Sequence, residues 1–263
     1  MPDAPVVLKL GGALLADASA LDAVWAGVGA LRDSGTPVVV VHGGGPQQTE
    51  LARRLGHEPR IVAGRRVTSD LDLRIALWTL RGELNARLVG AGIAAGVSVV
   101  GLSGADGGTV RVHRRPPVTV DGESVDFGHV GDVEAVDAGV LRHLLQAGVV
   151  VVLASVCADA AGALYNVNAD TVAMEAAVAL GASRLDLVTE AGGVRRDASD
   201  PASHLPTLNA AAVRAGVAEG WIAGGMRPKL ETALAALGRG VSSVRICDPA
   251  GLADPSAGTT VTP

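Results

Sequence analysis

Lysine is nearly missing from this 263-residue chain: of its 22 lysines and arginines, only Lys9 and Lys229 are lysine. Arginine supplies almost every generic positive charge. The two ammonium groups are therefore expected where a compact, three-donor point charge is needed and a planar guanidinium would not fit. Rings are also scarce, with three tryptophans, one tyrosine and one phenylalanine, too few for a base-stacking surface. The net charge of −5 adds no cationic footprint, so nucleic acid is not an expected partner. Cys157 and Cys247 stand apart, with no CxxC and no histidine at ligand spacing, which argues against a zinc site or a disulfide framework. Apolar runs such as 38–41 and 149–154 are too short to span a bilayer, and no basic region followed by a long apolar stretch opens the chain. No membrane partner is expected, and a reducing cytoplasm is the expected compartment.

What the chain has is aliphatic residues and glycine. Hydrophobic residues make up 48% of it, enough to bury a large core of Val, Leu, Ala and Ile. The run Val6, Val7, Leu8, Lys9, Leu10 closes on Gly11 and Gly12, and reads as a buried strand entering a tight turn. Asp17–Arg32 has helical apolar spacing. Val38–Val41 then runs through His42 into Gly43, Gly44 and Gly45, with Pro46 placed as at the first turn of a helix over Gln47–Leu55. Strand, glycine turn and helix have then occurred twice. That alternation predicts an α/β fold, a mainly parallel sheet with helices on both faces, in which ligands gather beyond the carboxyl ends of the strands.

Further along, Ile61–Thr68 reads as a short strand or loop, Asp70–Gly92 as one long helix and Val97–Leu102 as a strand. Val110–Val130 reads as a β-hairpin insertion, Asp132–Ala147 as a helix and Val149–Ala154 as a strong buried strand. Asn168 is placed to cap a helix over Thr171–Leu180. Arg184–Thr189 and Val241–Ile246 are expected strands, Asn209–Ala218 and Pro228–Leu237 expected helices, and Gly258–Thr262 an expected edge. No composition break or internal repeat divides the chain.

Glycine turns at helix N-termini suit phosphate, because their N–H groups point outward and the helix dipole favours an anion. The common motifs are absent: neither lysine follows glycine in a P-loop, and no GxGxxG, GxSxG or HExxH occurs. Phosphoryl transfer demands charge stabilisation more than covalent chemistry. Two ammonium groups and a ring of N–H donors supply it without a general base when the acceptor is already a carboxylate. Asp170 is placed to hold the two lysines in position.

These residues carry a resemblance. VVLKLGG, VVVVHGGGPQ, GRRVT, GHVGDV, LYNVNADT and GGMRPK occur in the order and near the spacing of the acetylglutamate kinases within the amino acid kinase family. The resemblance implies one domain over 1–263, an open three-layer αβα sandwich of about eight strands. In it, 1–175 would bind the acylated amino acid and 176–263 ATP. It implies transfer of the γ-phosphoryl of ATP, with Mg2+ held by the nucleotide phosphates rather than by a protein metal site, to the side-chain carboxylate of N-acetyl-L-glutamate.

By the same resemblance Lys9, Lys229 and Asp170 are catalytic. Gly44, Gly45, Arg66 and Asn166 bind the substrate, and Gly11, Gly12, Thr189, Glu190, Gly193, Gly225 and Met226 the nucleotide. Thr189–Val194 departs from the family's usual D-V-x-G-V, with Glu190 near the expected adenosine site. The short lead into the first strand suggests a homodimer without the extra N-terminal helix of arginine-inhibited hexamers. Two alternatives remain. One is a kinase for 2-aminoadipate or glutamate linked to a small acidic carrier protein, for which Arg111, Arg114 and Arg115 would form a basic rim. The other is a non-catalytic amino-acid or nucleotide sensor; a carbamate or nucleoside-monophosphate kinase is a weaker third.

Overall fold

Alternation within the valine-rich strands decides the architecture. The computed structural model describes residues 4–263. Its strands are β1 (Val6–Leu10), β2 (Val38–His42), a small hairpin of β3 (Ile61–Val62) and β4 (Arg65–Arg66), β5 (Val99–Ser103) and β6 (Val110–Arg114). A second hairpin, β7 (Val118–Val120) and β8 (Glu123–Val125), precedes β9 (Gly131–Val136), β10 (Val150–Ala154), β11 (Val156–Ala158), β12 (Leu164–Asn166) and β13 (Arg184–Val188). The rest are β14 (Val194–Arg195), β15 (His204–Leu205), β16 (Thr207–Asn209), β17 (Val244–Cys247) and β18 (Thr259–Thr262). Helices are α1 (Ala18–Asp33), α2 (Gly45–Arg54), α3 (Asp70–Ala76), α4 (Asn85–Ala94), α5 (Gly139–Gln146), α6 (Ala169–Leu180), α7 (Ala210–Ala218) and α8 (Met226–Gly238).

Eight strands form the main sheet in the order β16-β18-β17-β13-β1-β2-β10-β5, parallel except for the β17–β18 pair. Val7, Val39, Val41, Val151 and Leu153 face one core, which α5, α6, α7 and α8 cover through residues such as Leu141, Val172, Val213 and Leu230. Val6, Leu8, Val38, Val40 and Val152 face the other, covered by α1 and the 70–94 helix through Val24, Trp25, Leu80 and Leu88. Burying a valine or leucine side chain this fully stabilises by about 1.5–3 kcal/mol, so a sheet apolar on both sides has to be sandwiched. The three-layer αβα expectation holds.

Four local expectations need correction. The segment 132–147 is not one helix. Residues 131–136 pair as β9 with β6, and helix begins only at Gly139, so non-local ladder pairing overrides the apolar periodicity. Likewise 110–130 is not a lone hairpin, because β6 belongs to a second sheet of order β12-β11-β6-β9 and only β7 and β8 form the hairpin. The 70–92 helix is continuous but changes pitch, running as a π-helix over Leu77–Leu84. Finally, β18 lies inside the sheet between β16 and β17 rather than at its edge.

Candidate active site

Lys9 follows Val7 by two residues in β1 and so shares its face, the side covered by α6 and α8. The N-terminus of α6 meets it there. Asn168 caps that helix, its side chain accepting from Asp170 N at 2.7 Å and Thr171 N at 3.4 Å, and the cap fixes Asp170 in the first turn. Lys9 Nζ stands 2.9 Å from Asp170 Oδ1, with both side chains mostly buried. Asp170 Oδ1 is buried, with the Lys9 ammonium as its charge partner.

Lys229 stands on α8, which packs against α6, at the fourth residue of the helix, and its Nζ donates to Gly225 O at 3.1 Å. Burial pushes its pKa below the ordinary lysine value, the Lys9 charge pushes it further, and Asp170 pulls it back. Lys9 and Asp170 thus form a close pair, and the Lys229 charge, from the far end of the chain, is near enough to act on both.

A cleft of about 330 Å³ opens beside them. Lys9, Gly12, Gly44, Gly45, Arg66, Asn166 and Asp170 all line it. Gly12 and Gly44 are glycines for a steric reason: a Cβ on Gly12 would come within 2.7 Å of Pro46 Cδ, and one on Gly44 within 2.7 Å of Leu80 Cδ2. Behind the loop, His42 is wholly buried. Its Nδ1 donates to Gly43 O at 3.0 Å and its Nε2 accepts from Asn85 Nδ2 at 3.2 Å, and burial pushes its pKa down to about 4, leaving the ring neutral.

On the other wall, Arg66 Nη2 donates to Thr49 Oγ1 at 2.7 Å, and Asn166 Nδ2 donates to Thr68 Oγ1 at 3.4 Å. Lysine, arginine and asparagine donors thus surround an acceptor-shaped space, the arrangement expected for an oxyanion-rich guest.

The model of the Amino acid kinase family matches residues 4–248. The chain belongs to the amino acid kinase family. The chain is 45% identical over 244 residues to the acetylglutamate kinase of Symbiobacterium thermophilum, an overlap of 92% of this chain and 83% of that one. It is also 45% identical over 245 residues to the acetylglutamate kinase of Sorangium cellulosum, across 92% and 86% of the two chains. In structure it is similar to N-acetylglutamate synthase from Neisseria gonorrhoeae, solved with coenzyme A and N-acetyl-glutamate. There the TM-score is 0.83 at 27% identity, over 99% of this chain and 59% of that one.

In this amino acid kinase the residues expected at the nucleotide lie outside the cleft lining, with the exception of Gly12. Thr189 and exposed Glu190 follow β13 directly, and Gly225 and Met226 open α8. Gly193, at a φ of 147°, is packed so closely that a Cβ would lie 2.6 Å from His204 Nε2. Gly11 stands apart from the lining too, at the end of β1. Arg111, Arg114 and Arg115 are matched by acids, pairing with Glu134 at 3.2 Å, Asp126 at 2.9 Å and Asp132 at 2.5 Å.

Sequence reasoning missed Gln48, Thr49 and Ser155, all in the lining, and Gln47, whose Nε2 donates to Gly12 O at 2.6 Å and ties the two glycine turns together. For Gln47, Gln48 and Thr49 the only signal was their place in the first half of α2 after three glycines, and Ser155 follows the buried strand β10 directly. Among the described residues no helix is long and apolar enough to cross a membrane, and no group of three or more His, Cys, Asp or Glu is arranged to hold a metal ion.

Proposed function

We propose that the chain acts as an acetylglutamate kinase, transferring the γ-phosphoryl of ATP to the side-chain carboxylate of N-acetyl-L-glutamate to give an acyl phosphate. The observation that carries this reading is the approach of Lys9 to Asp170 at 2.9 Å in the lining of a cleft that also holds Arg66 and Asn166, with the Lys229 charge near enough to act on both. Lys9 would neutralise the migrating phosphoryl oxygens, Lys229 the leaving side, and Asp170 would keep two like charges in one place. Gly44, Gly45, Arg66 and Asn166 would hold the carboxylates of the acylated amino acid. A preorganised cationic ring of this kind costs no reorganisation as charge develops.

The division of labour along the chain is part of the proposal, with 1–175 as the amino-acid side and 176–263 as the nucleotide side. In its support, the cleft lining runs from Lys9 to Asp170 and draws on nothing later. Gly11, Gly12, Thr189, Glu190, Gly193, Gly225 and Met226 would attend the nucleotide. Magnesium would enter on the nucleotide phosphates, since the described residues offer no cage of their own. Cytoplasmic location and a homodimer complete the proposal. Exposed Trp78 and Ile93 on the 70–94 helix support the dimer, which sedimentation velocity tests by molecular mass.

The deciding experiment measures hydroxamate-trapped acyl phosphate from the purified chain with ATP and, in parallel, N-acetylglutamate, glutamate, and free or carrier-linked aminoadipate. Preference for N-acetylglutamate is expected. Preference for a carrier-linked substrate would overturn it in favour of the carrier reading, which the acid-paired Arg111, Arg114 and Arg115 do not favour. No turnover of any substrate would leave a sensor.

A further inference from the structure

Arg66 belongs to a two-residue strand beside an exposed turn, yet only 9% of its side chain reaches solvent. A planar clamp for a carboxylate is useful only if its plane is fixed before the ligand arrives. Two neutral acceptors help from α2: Thr49 Oγ1 at 2.7 Å and, more loosely, Gly45 O at 3.4 Å, both receiving from Nη2. The anion against the guanidinium is Asp72, whose Oδ1 lies 3.4 Å from Nη1.

Asp72 is buried near the start of α3, where it closes a capping box with Ser69. Its other oxygen, Oδ2, accepts from Ser69 Oγ at 2.6 Å, from Ser69 N at 3.2 Å and from His57 Nε2 at 3.1 Å. The two oxygens thus divide the contacts, Oδ2 to the helix start and Oδ1 to the arginine. Burying a carboxylate is costly without a charge partner, and capping alone does not require it to be enclosed. Burial by itself raises the Asp72 pKa, but the bonds from Ser69 and His57 outweigh it and hold the group below the usual aspartate value, so it is an anion at neutral pH.

We propose that Asp72 is a positioning residue. Its carboxylate fixes the plane of the Arg66 guanidinium, so that the remaining N–H groups meet a carboxylate of the acylated amino acid without further ordering. This rests on the reading in which Arg66 takes that carboxylate, and it adds a determinant outside the cleft lining. Asp72 touches no substrate; it acts through Arg66.

Asp72→Asn removes the charge and keeps the shape, while Ser69→Ala weakens the same helix start but leaves Oδ1 facing Arg66. With steady-state kinetics on N-acetylglutamate, Asp72→Asn is expected to raise KM by roughly tenfold or more, the consequence of breaking an enclosed charge pair, with kcat and the KM for ATP little changed. Ser69→Ala is expected to lower the melting temperature and leave KM within about twofold. In an Arg66→Lys background, the Asp72→Asn effect should largely vanish, because the two act as a unit. A KM for Asp72→Asn near that of the unaltered chain, the same KM shift in Ser69→Ala, or full additivity with Arg66→Lys would each overturn the proposal. Failure of the unaltered chain to phosphorylate N-acetylglutamate would instead overturn the functional reading, and the inference with it.

Discussion

Replacing Gly44 and Gly45 separately by alanine distinguishes packing from ligand contact within one loop. A Cβ on Gly44 would lie 2.7 Å from Leu80 Cδ2 and closer still to Leu84 Cδ1, about 1 Å inside the carbon–carbon optimum. Leucine branch ends can sometimes rotate away, but Leu80 and Leu84 are 0% and 1% exposed, and both belong to the π-helical segment packed behind the loop. Overpacking of this kind costs about 1–3 kcal/mol. For a chain of this size, each kcal/mol moves the melting temperature by about 2–4 °C, so Gly44→Ala should melt roughly 2–12 °C lower. A Cβ on Gly45 meets nothing within 4 Å, and alanine there restricts the unfolded chain, so stability should hold or rise by up to about 1 kcal/mol. Any cost of Gly45→Ala should fall on KM for the amino-acid substrate, since that residue faces the cleft. Thermal denaturation followed by circular dichroism, together with steady-state kinetics, measures both. Equal melting temperatures for Gly44→Ala and the unaltered chain, or equal losses in the two variants, would refute the reasoning.

Lys9→Arg and Lys229→Arg should each fold normally and lose about 100- to 1000-fold in kcat, the scale of removing one aligned donor from a developing oxyanion; near-normal turnover of either would remove the point-charge argument. Isotopically labelled lysine gives two side-chain resonances in this chain, and that of Lys229 should titrate below the ordinary lysine value. It should move up in Lys9→Met, and no movement would mean that the two ammonium groups do not interact. His42, with a folded pKa of about 4 against 6.5, binds its proton more readily when unfolded. Its contribution, about 3 kcal/mol at most, should therefore be lost as pH falls from 6.5 towards 4, and a denaturant series in His42→Gln should lose that slope.

Much of the fold was legible because its strands announce themselves. Apolar runs ending in glycine, as at 6–12 and 38–45, require burial on both faces and a turn at the carboxyl end, and that end is where the cleft lies. The scarcity of lysine singled out Lys9 and Lys229 before any contact was known. What failed was local periodicity where non-local pairing decides. Residues 131–136 carry a helix-compatible pattern and pair with β6 instead, and the place of β18 inside the sheet depends on partners from 207–209 and 244–247. The Asp72 contact with Arg66 was illegible for a similar reason: an acid early in a helix reads as a cap, and nothing in the string says that its second oxygen faces an arginine six residues back.

The position of β1 has a bearing on how the molecule is made. On one side it pairs with β2, synthesised soon after it, but its other neighbour comes from residues 184–188. A nascent polypeptide must therefore carry a bare apolar edge at the middle of its future sheet until well over half of it has left the ribosome. Such late, long-range closure slows folding and exposes the edge to intermolecular pairing. Lys9, on that strand, stays without its counter-ion until Asp170 has emerged.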